Sequence, residues 1–291
     1  MRTRLTLVFL ATSLVTATGC GPKPASTTSP PPSETSQPTG NPASSAAKRG
    51  MPNIARLADA PKLTKESLKA IETKYACKLP IDYREFLLSN NGGFPSPDCV
   101  TFEENGRKTS ADVFCFFAIG ESRASLSFEW HQKTFSDRLP KSTLPIGRDS
   151  CGNLWLVSLR SADAGSIFFW DHGSYDTFDE TDLNNWPKVA ASFREFLGKL
   201  TAYDAKSDAG AVVSRYSLAK QAADGMAQQD SGFSARANPD FVWHCDCDDS
   251  GNVQMQFVKY EVHAAATHTC GYARLLASQG LIKAGRPRLP K

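Results

Sequence analysis

No block of Lys or Arg stands anywhere in these 291 residues, and the formal charge is only +3. The densest basic groups, Lys48-Arg49 and Arg286-Pro287-Arg288, are too short to neutralise a run of phosphates, which argues against a nucleic-acid surface. The phosphate-cradling glycine patterns Gly-x-Gly-x-x-Gly and Gly-x4-Gly-Lys-Ser/Thr are missing. A Gly-x-Ser-x-Gly nucleophile elbow is absent, and Asp171-His172, merely adjacent in sequence, is no evidence for a catalytic triad. The expectation is a chain without cofactor or catalytic function.

What the chain does carry begins at its N-terminus. Arg2 and Arg4 precede an apolar run from Leu5 to Val15, about eleven residues and so too short to span a bilayer as a helix. Ala17-Thr18-Gly19 places small residues before Cys20, which resembles the processing box of bacterial lipoproteins. That resemblance implies a leader over 1–20, a lipidated mature N-terminus at Cys20 and, from Gly21, sorting to the outer membrane. The alternative is an ordinary signal peptide cut near Ala17. Residues 21–50 hold seven prolines and no aromatic or large aliphatic side chain, so they cannot bury enough apolar area to offset their ordering entropy. The stretch 21–55 therefore reads as a disordered tether, of which residues 21–50 alone would reach roughly 90 Å if fully extended as polyproline.

The most informative segment is Leu79-Pro80-Ile81-Asp82-Tyr83-Arg84-Glu85-Phe86-Leu87, closed by Asn90-Asn91-Gly92-Gly93. Pro80 suits a helix start, Asp82 and Glu85 favour the first turns through the helix dipole, and Tyr83, Phe86 and Leu87 form one apolar stripe. Gly92-Gly93 then permits the left-handed backbone that ends a helix. Upstream, Thr64 is a candidate N-cap for a helix over about 65–76 with Leu68, Ile71 and Tyr75 on one face. Downstream, 99–102 and 113–117 read as strands around the Asn105-Gly106 turn signal, and 122–137 as a helix with Leu126, Trp130 and Phe135 inward. Strands near 144–147, 153–160 and 166–171 form a meander, and a helix over 187–200 buries Val189, Phe193, Phe196 and Leu197.

This series resembles the SUKH superfamily, which includes a fungal cell-wall-synthesis regulator and many bacterial immunity proteins. The resemblance rests on Leu68–Glu72, the signature itself, Leu144-Pro145-Ile146-Gly147 with Gly152–Leu156, Gly165–His172 ending in Trp170-Asp171-His172, and Ala191–Leu197. A departure is Cys77, where members commonly carry Gly. The fold implied over 56–200 is α+β, a SUKH-like mixed or antiparallel sheet flanked by helices. Residues 201–291 fall outside the resemblance and read as a small α+β extension. Its elements are a helix near 208–228, strands at 240–245 and 253–262, and a helix near 268–279. They form either a separate module or a piece packed on the first sheet.

Two clusters are candidate sites. His244, Cys245, Cys247, His263, His268 and Cys270 fall within 27 residues. The Cys245-x-Cys247 and His268-x-Cys270 spacings are short for a zinc site, so no metal is assigned. A Cys247–Cys270 or Cys245–Cys270 disulfide competes with free thiols. Cys77 with Cys99 is a conceivable second bridge, and Cys115 reads as a buried thiol. The acidic loop with Asp171, Asp176, Asp179, Glu180 and Asp182 lacks the pattern of an EF-hand and is assigned to a cationic partner or to solvent. What the resemblance implies is a protein partner, first of all a toxin masked at its active surface, with contact to the membrane only through the lipid. A cell-envelope adaptor is the alternative reading, and a metal-dependent hydrolase using the His/Cys cluster is the third.

Overall fold

A helix pair opens the folded part. In the computed structural model, which describes residues 5–7, 51–104, 107–171, 181–202, 238–247 and 253–265, α1 spans Lys65–Lys74 and α2 spans Ile81–Ser89. Thr64 caps α1 reciprocally: the Ser67 amide donates to the Thr64 hydroxyl at 3.2 Å, and the Thr64 amide donates to the Ser67 hydroxyl at 2.8 Å. Two first-turn donors that the helix cannot satisfy are thereby paired. Glu72 ties the pair together, accepting from the Leu79 amide at 2.9 Å and pairing with Arg84. Leu68 and Ile71 of α1, and Tyr83, Phe86 and Leu87 of α2, are buried as their spacing predicts.

The end of α2 differs from the sequence expectation. The left-handed backbone begins one residue early, at Asn91 (φ 47°), and runs on through Gly92 (φ 82°) and Gly93 (φ 130°). Asn91 is 1% exposed, and its amide donates to the carbonyls of Pro61 (2.8 Å) and Ile119 (2.9 Å) while accepting from the Ile119 amide (2.9 Å). The glycines answer a different need. A Cβ at Gly92 would stand 2.9 Å from the Phe116 carbonyl oxygen, and one at Gly93 would stand 2.6 Å from that of Ala55.

Five antiparallel strands form the main sheet: β6 (Cys115–Phe116), β7 (Thr143–Arg148), β8 (Leu154–Ser158), β9 (Ile167–Trp170) and β10 (Lys188–Ala190), in the order β10-β9-β8-β7-β6. Every residue of β7, β8 and β9 is buried, which explains why β8 and β9 read as nearly continuous apolar runs with no alternation. Around them lie α3 (Phe128–Thr134) and α4 (Phe193–Gly198). Phe193 of α4 sits 4.8 Å from Phe86, 5.1 Å from Tyr83 and 5.4 Å from Phe116, ring centroid to ring centroid. The signature helix and the closing helix therefore share one aromatic cluster with the sheet. A hairpin, β4 (Cys99–Glu104) with β5 (Arg107–Asp112), lays Phe102 against Trp155 and Phe169. A short ribbon pairs β2 (Asn53–Ala55) with β3 (Phe94–Ser96).

Several expectations shift. The strand paired with 99–104 is 107–112, not 113–117, because Cys115–Phe116 crosses to the main sheet; Asn105-Gly106 itself lies outside the described residues. The helix expected over 122–137 is a 3-10 turn at Ala124–Leu126 followed by α3. Val189 lies in β10, so the closing helix starts only at Phe193, capped by Ser192. The fold begins at least as early as Asn53, inside the stretch 21–55 assigned to the tether.

Two further strands, β11 (Phe241–Cys247) and β12 (Val253–Lys259), pair antiparallel and run into α5 (Tyr260–Ala265), where the sequence had suggested continued strand. Leu5–Leu7, strand β1, pairs with the other edge of β12, so part of the apolar leader run is engaged in a sheet. The helices expected near 208–228 and 268–279 lie outside the described residues.

Asn91→Ala removes two buried hydrogen bonds and one part-buried one, and places alanine at a positive φ. It is expected to destabilise the chain by on the order of 3 kcal/mol in urea unfolding, with an unchanged m-value.

Candidate functional site: a buried polar seam under the C-terminal hairpin

The C-terminal hairpin is not a separate module. It closes over the ends of β6 and β7, and the contact is built on Arg148, the last residue of β7. Its guanidinium is fully buried, and among the described residues no carboxylate pairs with it. Three carbonyls accept its hydrogens instead: Ser125 (3.3 Å), Asp149 (3.2 Å) and, from the extension, Pro239 (2.9 Å). Two rings sandwich it, Phe114 at 4.2 Å and Tyr260 of α5 at 4.5 Å. A desolvated cation over an aromatic face is stabilised by ~2 kcal/mol, so Tyr260 helps offset the cost of burying the charge.

His131 of α3 completes the seam. Its Nδ1 lies 2.7 Å from the Ser127 carbonyl, which can only accept, so Nδ1 carries the hydrogen. Nε2 then accepts from the Tyr260 hydroxyl at 2.9 Å. The imidazole stacks on Phe117 at 3.6 Å. Burial, with Arg148 nearby, holds the His131 pKa well below the ordinary histidine range. The Tyr260 phenol is pushed upward by burial, so it remains a donor. The Ser125 hydroxyl donates to Asp240 at 3.0 Å, and His263 Nε2 lies 3.1 Å from the Cys151 carbonyl. Gly152 (φ 91°) makes room for this contact, since a Cβ there would stand 3.3 Å from the His263 ring.

Beside the seam lies a buried acidic group. Asp149 accepts from the amides of Cys151 (2.9 Å) and Asn153 (2.8 Å) and from the Asn153 side chain (2.8 Å). Asp112 accepts from Ser150 through both its amide and its hydroxyl. Burial first, then the charges of Asp112 and Asp171, push the Asp149 carboxyl up to about 7.

The predicted site residues distribute unevenly. Asp171, assigned to a partner-facing loop, is 3% exposed and belongs to the interior, because it closes the wholly buried strand β9. Asp182 caps a 3-10 turn by accepting from the Asn184 amide at 2.9 Å. Asp176, Asp179 and Glu180 lie outside the described residues, as do Cys20, His268 and Cys270. Cys247 is paired through its backbone with Val253, and the Cys247–Cys270 bridge falls outside what is described. Cys77 is a free thiol, so the Cys77–Cys99 bridge is not formed; Cys115 is buried, as expected. His244 and His263 come together, ring centroids 5.3 Å apart, but no group of three His, Cys, Asp or Glu among the described residues is placed to hold a metal.

Sequence reading missed Arg148, His131, Asp149 and Tyr260. The one available signal was Arg148-Asp149 directly behind an apolar strand, a charged pair where the meander should still be buried. Asp149 sets a pH dependence. Its pKa is raised from an unfolded value of about 3.9, so the stability carried by its protonated form is present below that value and is lost as pH rises towards 7. Because Asp149→Asn cannot lose that proton, the melting temperature of the variant relative to wild type is expected to rise steadily from pH 5 to pH 7 in differential scanning calorimetry, and a pH-independent difference would contradict it.

Comparison with known proteins agrees with this architecture. The family model described as "SMI1 / KNR4 family (SUKH-1)" matches residues 62–199. The chain is also similar to an SPbeta prophage-derived uncharacterized protein, YokK, of Bacillus subtilis (strain 168), at 26% identity over 163 residues, which is 50% of this chain and 78% of the relative. The matched segment takes in α1, the signature helix, the five-stranded sheet and all of α4, and stops short of the docked hairpin. Residues 62–199 are an SMI1/KNR4-family (SUKH-1) domain.

Proposed function

We propose that this protein is a non-catalytic binding module of the immunity type, which neutralises a protein toxin at the cell envelope. The family domain over 62–199 is the observation that carries the reading. Its chemistry supports it: each buried titratable side chain of the seam is spent on internal bonds, His131 on Ser127 and Tyr260, Arg148 on three carbonyls, Asp149 on its own turn. A prophage-derived relative is in keeping with a role in conflict between replicating entities. The placement rests on sequence: Cys20 carries the lipid, the Pro/Ser/Thr-rich stretch sets the domain off from the membrane, and the chain meets its partner outside the cytoplasm.

The test is survival. Cells lacking the protein should die when the toxin encoded beside its gene is made. The wild-type chain should rescue them, and Cys20→Ala, released from the membrane fraction, should rescue them at least tenfold less well. Loss of envelope integrity in the absence of any toxin would overturn this reading in favour of an adaptor.

A further inference from the structure

We infer that acid releases residues 238–265 from the domain, because their central hydrogen bond to it requires a neutral imidazole at His131. The inference goes beyond the binding role and stands whether or not the partner is a toxin. Its basis is the direction of one hydrogen. The Ser127 carbonyl fixes the hydrogen of His131 on Nδ1, which leaves Nε2 as the acceptor for Tyr260. Once Nε2 also carries a hydrogen, two donors face each other. The phenol must turn to accept, and its own hydrogen loses its partner.

A second cation then appears beside the first. Arg148 of β7 lies over the same Tyr260 ring, at 4.5 Å, and no carboxylate among the described residues pairs with it. The rings of Phe117 (3.6 Å), Trp130 (5.0 Å) and Phe135 (6.1 Å) wall the imidazole and supply no hydrogen-bond acceptor for a second N–H. Around the seam, Cys115 of β6 and Asp149 face Tyr260, and Asp240 faces Ser125. Asp149 has the opposite pH sign, since it gains a proton as pH falls. It is held by the amides of its own turn, at Cys151 and Asn153, and so belongs to the domain whether or not the hairpin is docked.

Undocking exposes His131 to water, where an imidazole titrates near 6.5. The docked form thus binds fewer protons than the undocked one below that pH. The docking equilibrium should fall about tenfold for each further pH unit. On docking failure, Arg148 and Phe114 become an exposed cation and ring on the domain, whose resident occupant is the chain's own Pro239 carbonyl and Tyr260 ring.

Hydrogen exchange of the full chain, followed by mass spectrometry from pH 8 to pH 5 and corrected for intrinsic rates, tests this. Peptides from 238–265 should lose protection between pH 7 and pH 5, while those from Leu154–Ser158 keep theirs. In His131→Gln the amide still offers a donor and an acceptor but cannot be protonated, and the loss should vanish. Protection of 238–265 that is unchanged down to pH 5, or an identical loss in wild type and His131→Gln, overturns the inference. Should His131→Gln exchange throughout, Tyr260→Phe decides. It weakens docking and should move the midpoint to higher pH, and an unmoved midpoint overturns the inference equally.

Discussion

A buried guanidinium that no carboxylate among the described residues pairs with is the constraint around which the described fold is arranged. Arg148 ends β7, next to the edge strand β6, in a place that water does not reach. A charge there is tolerated only if every N–H finds an acceptor and the remaining surface finds polarisable neighbours. The domain supplies two of the three carbonyls and one of the two rings. The third carbonyl and the second ring come from Pro239 and Tyr260, beyond the family domain. The C-terminal hairpin is therefore part of the solution to a problem the domain itself poses. His131 and Asp149 are consequences: one orients Tyr260, and the other is a carboxyl forced into the same dry layer beside Asp112 and Asp171.

Local signals in this chain were legible where they are self-sufficient. Thr64 and Ser67 form a cap within four residues, and Tyr83, Phe86 and Leu87 face inward because of helical periodicity alone. The apolar meander announced itself because strands buried on both faces cannot alternate. What depends on distant partners was not legible. Val189 was drawn into a strand by pairing with β9, although it sits next to a good helix. Asn91 looked like punctuation before two glycines, and its bonds to Pro61 and Ile119, about thirty residues away in opposite directions, are invisible in sequence. The seam is the extreme case, since His131 and Tyr260 are 129 residues apart and neither carries a motif. Asp171 misled for the same reason: it opens an acidic loop in sequence but finishes a buried strand in space.

The signature segment thus contributes architecture. Tyr83 is wholly buried among Phe86 and Phe193, and Asn91, Gly92 and Gly93 set the chain's path under β6 and β2. In the binding role we propose, recognition of a partner falls to the outer surface. If the module stands outside the cytoplasm, as we propose, it experiences the pH of its surroundings directly. In such a setting, a hairpin docked through a neutral histidine ties the shape of the chain to its environment.

The central claim is that Arg148 and Tyr260 act as one unit across the seam. A double-mutant cycle on the unfolding free energy, with Arg148→Met, Tyr260→Leu and the pair, measures it most directly. The account predicts that the two changes couple by about 1 kcal/mol or more, because either alone strands the other. Additivity within about 0.3 kcal/mol would contradict it, since it would mean the hairpin and the domain are stabilised independently.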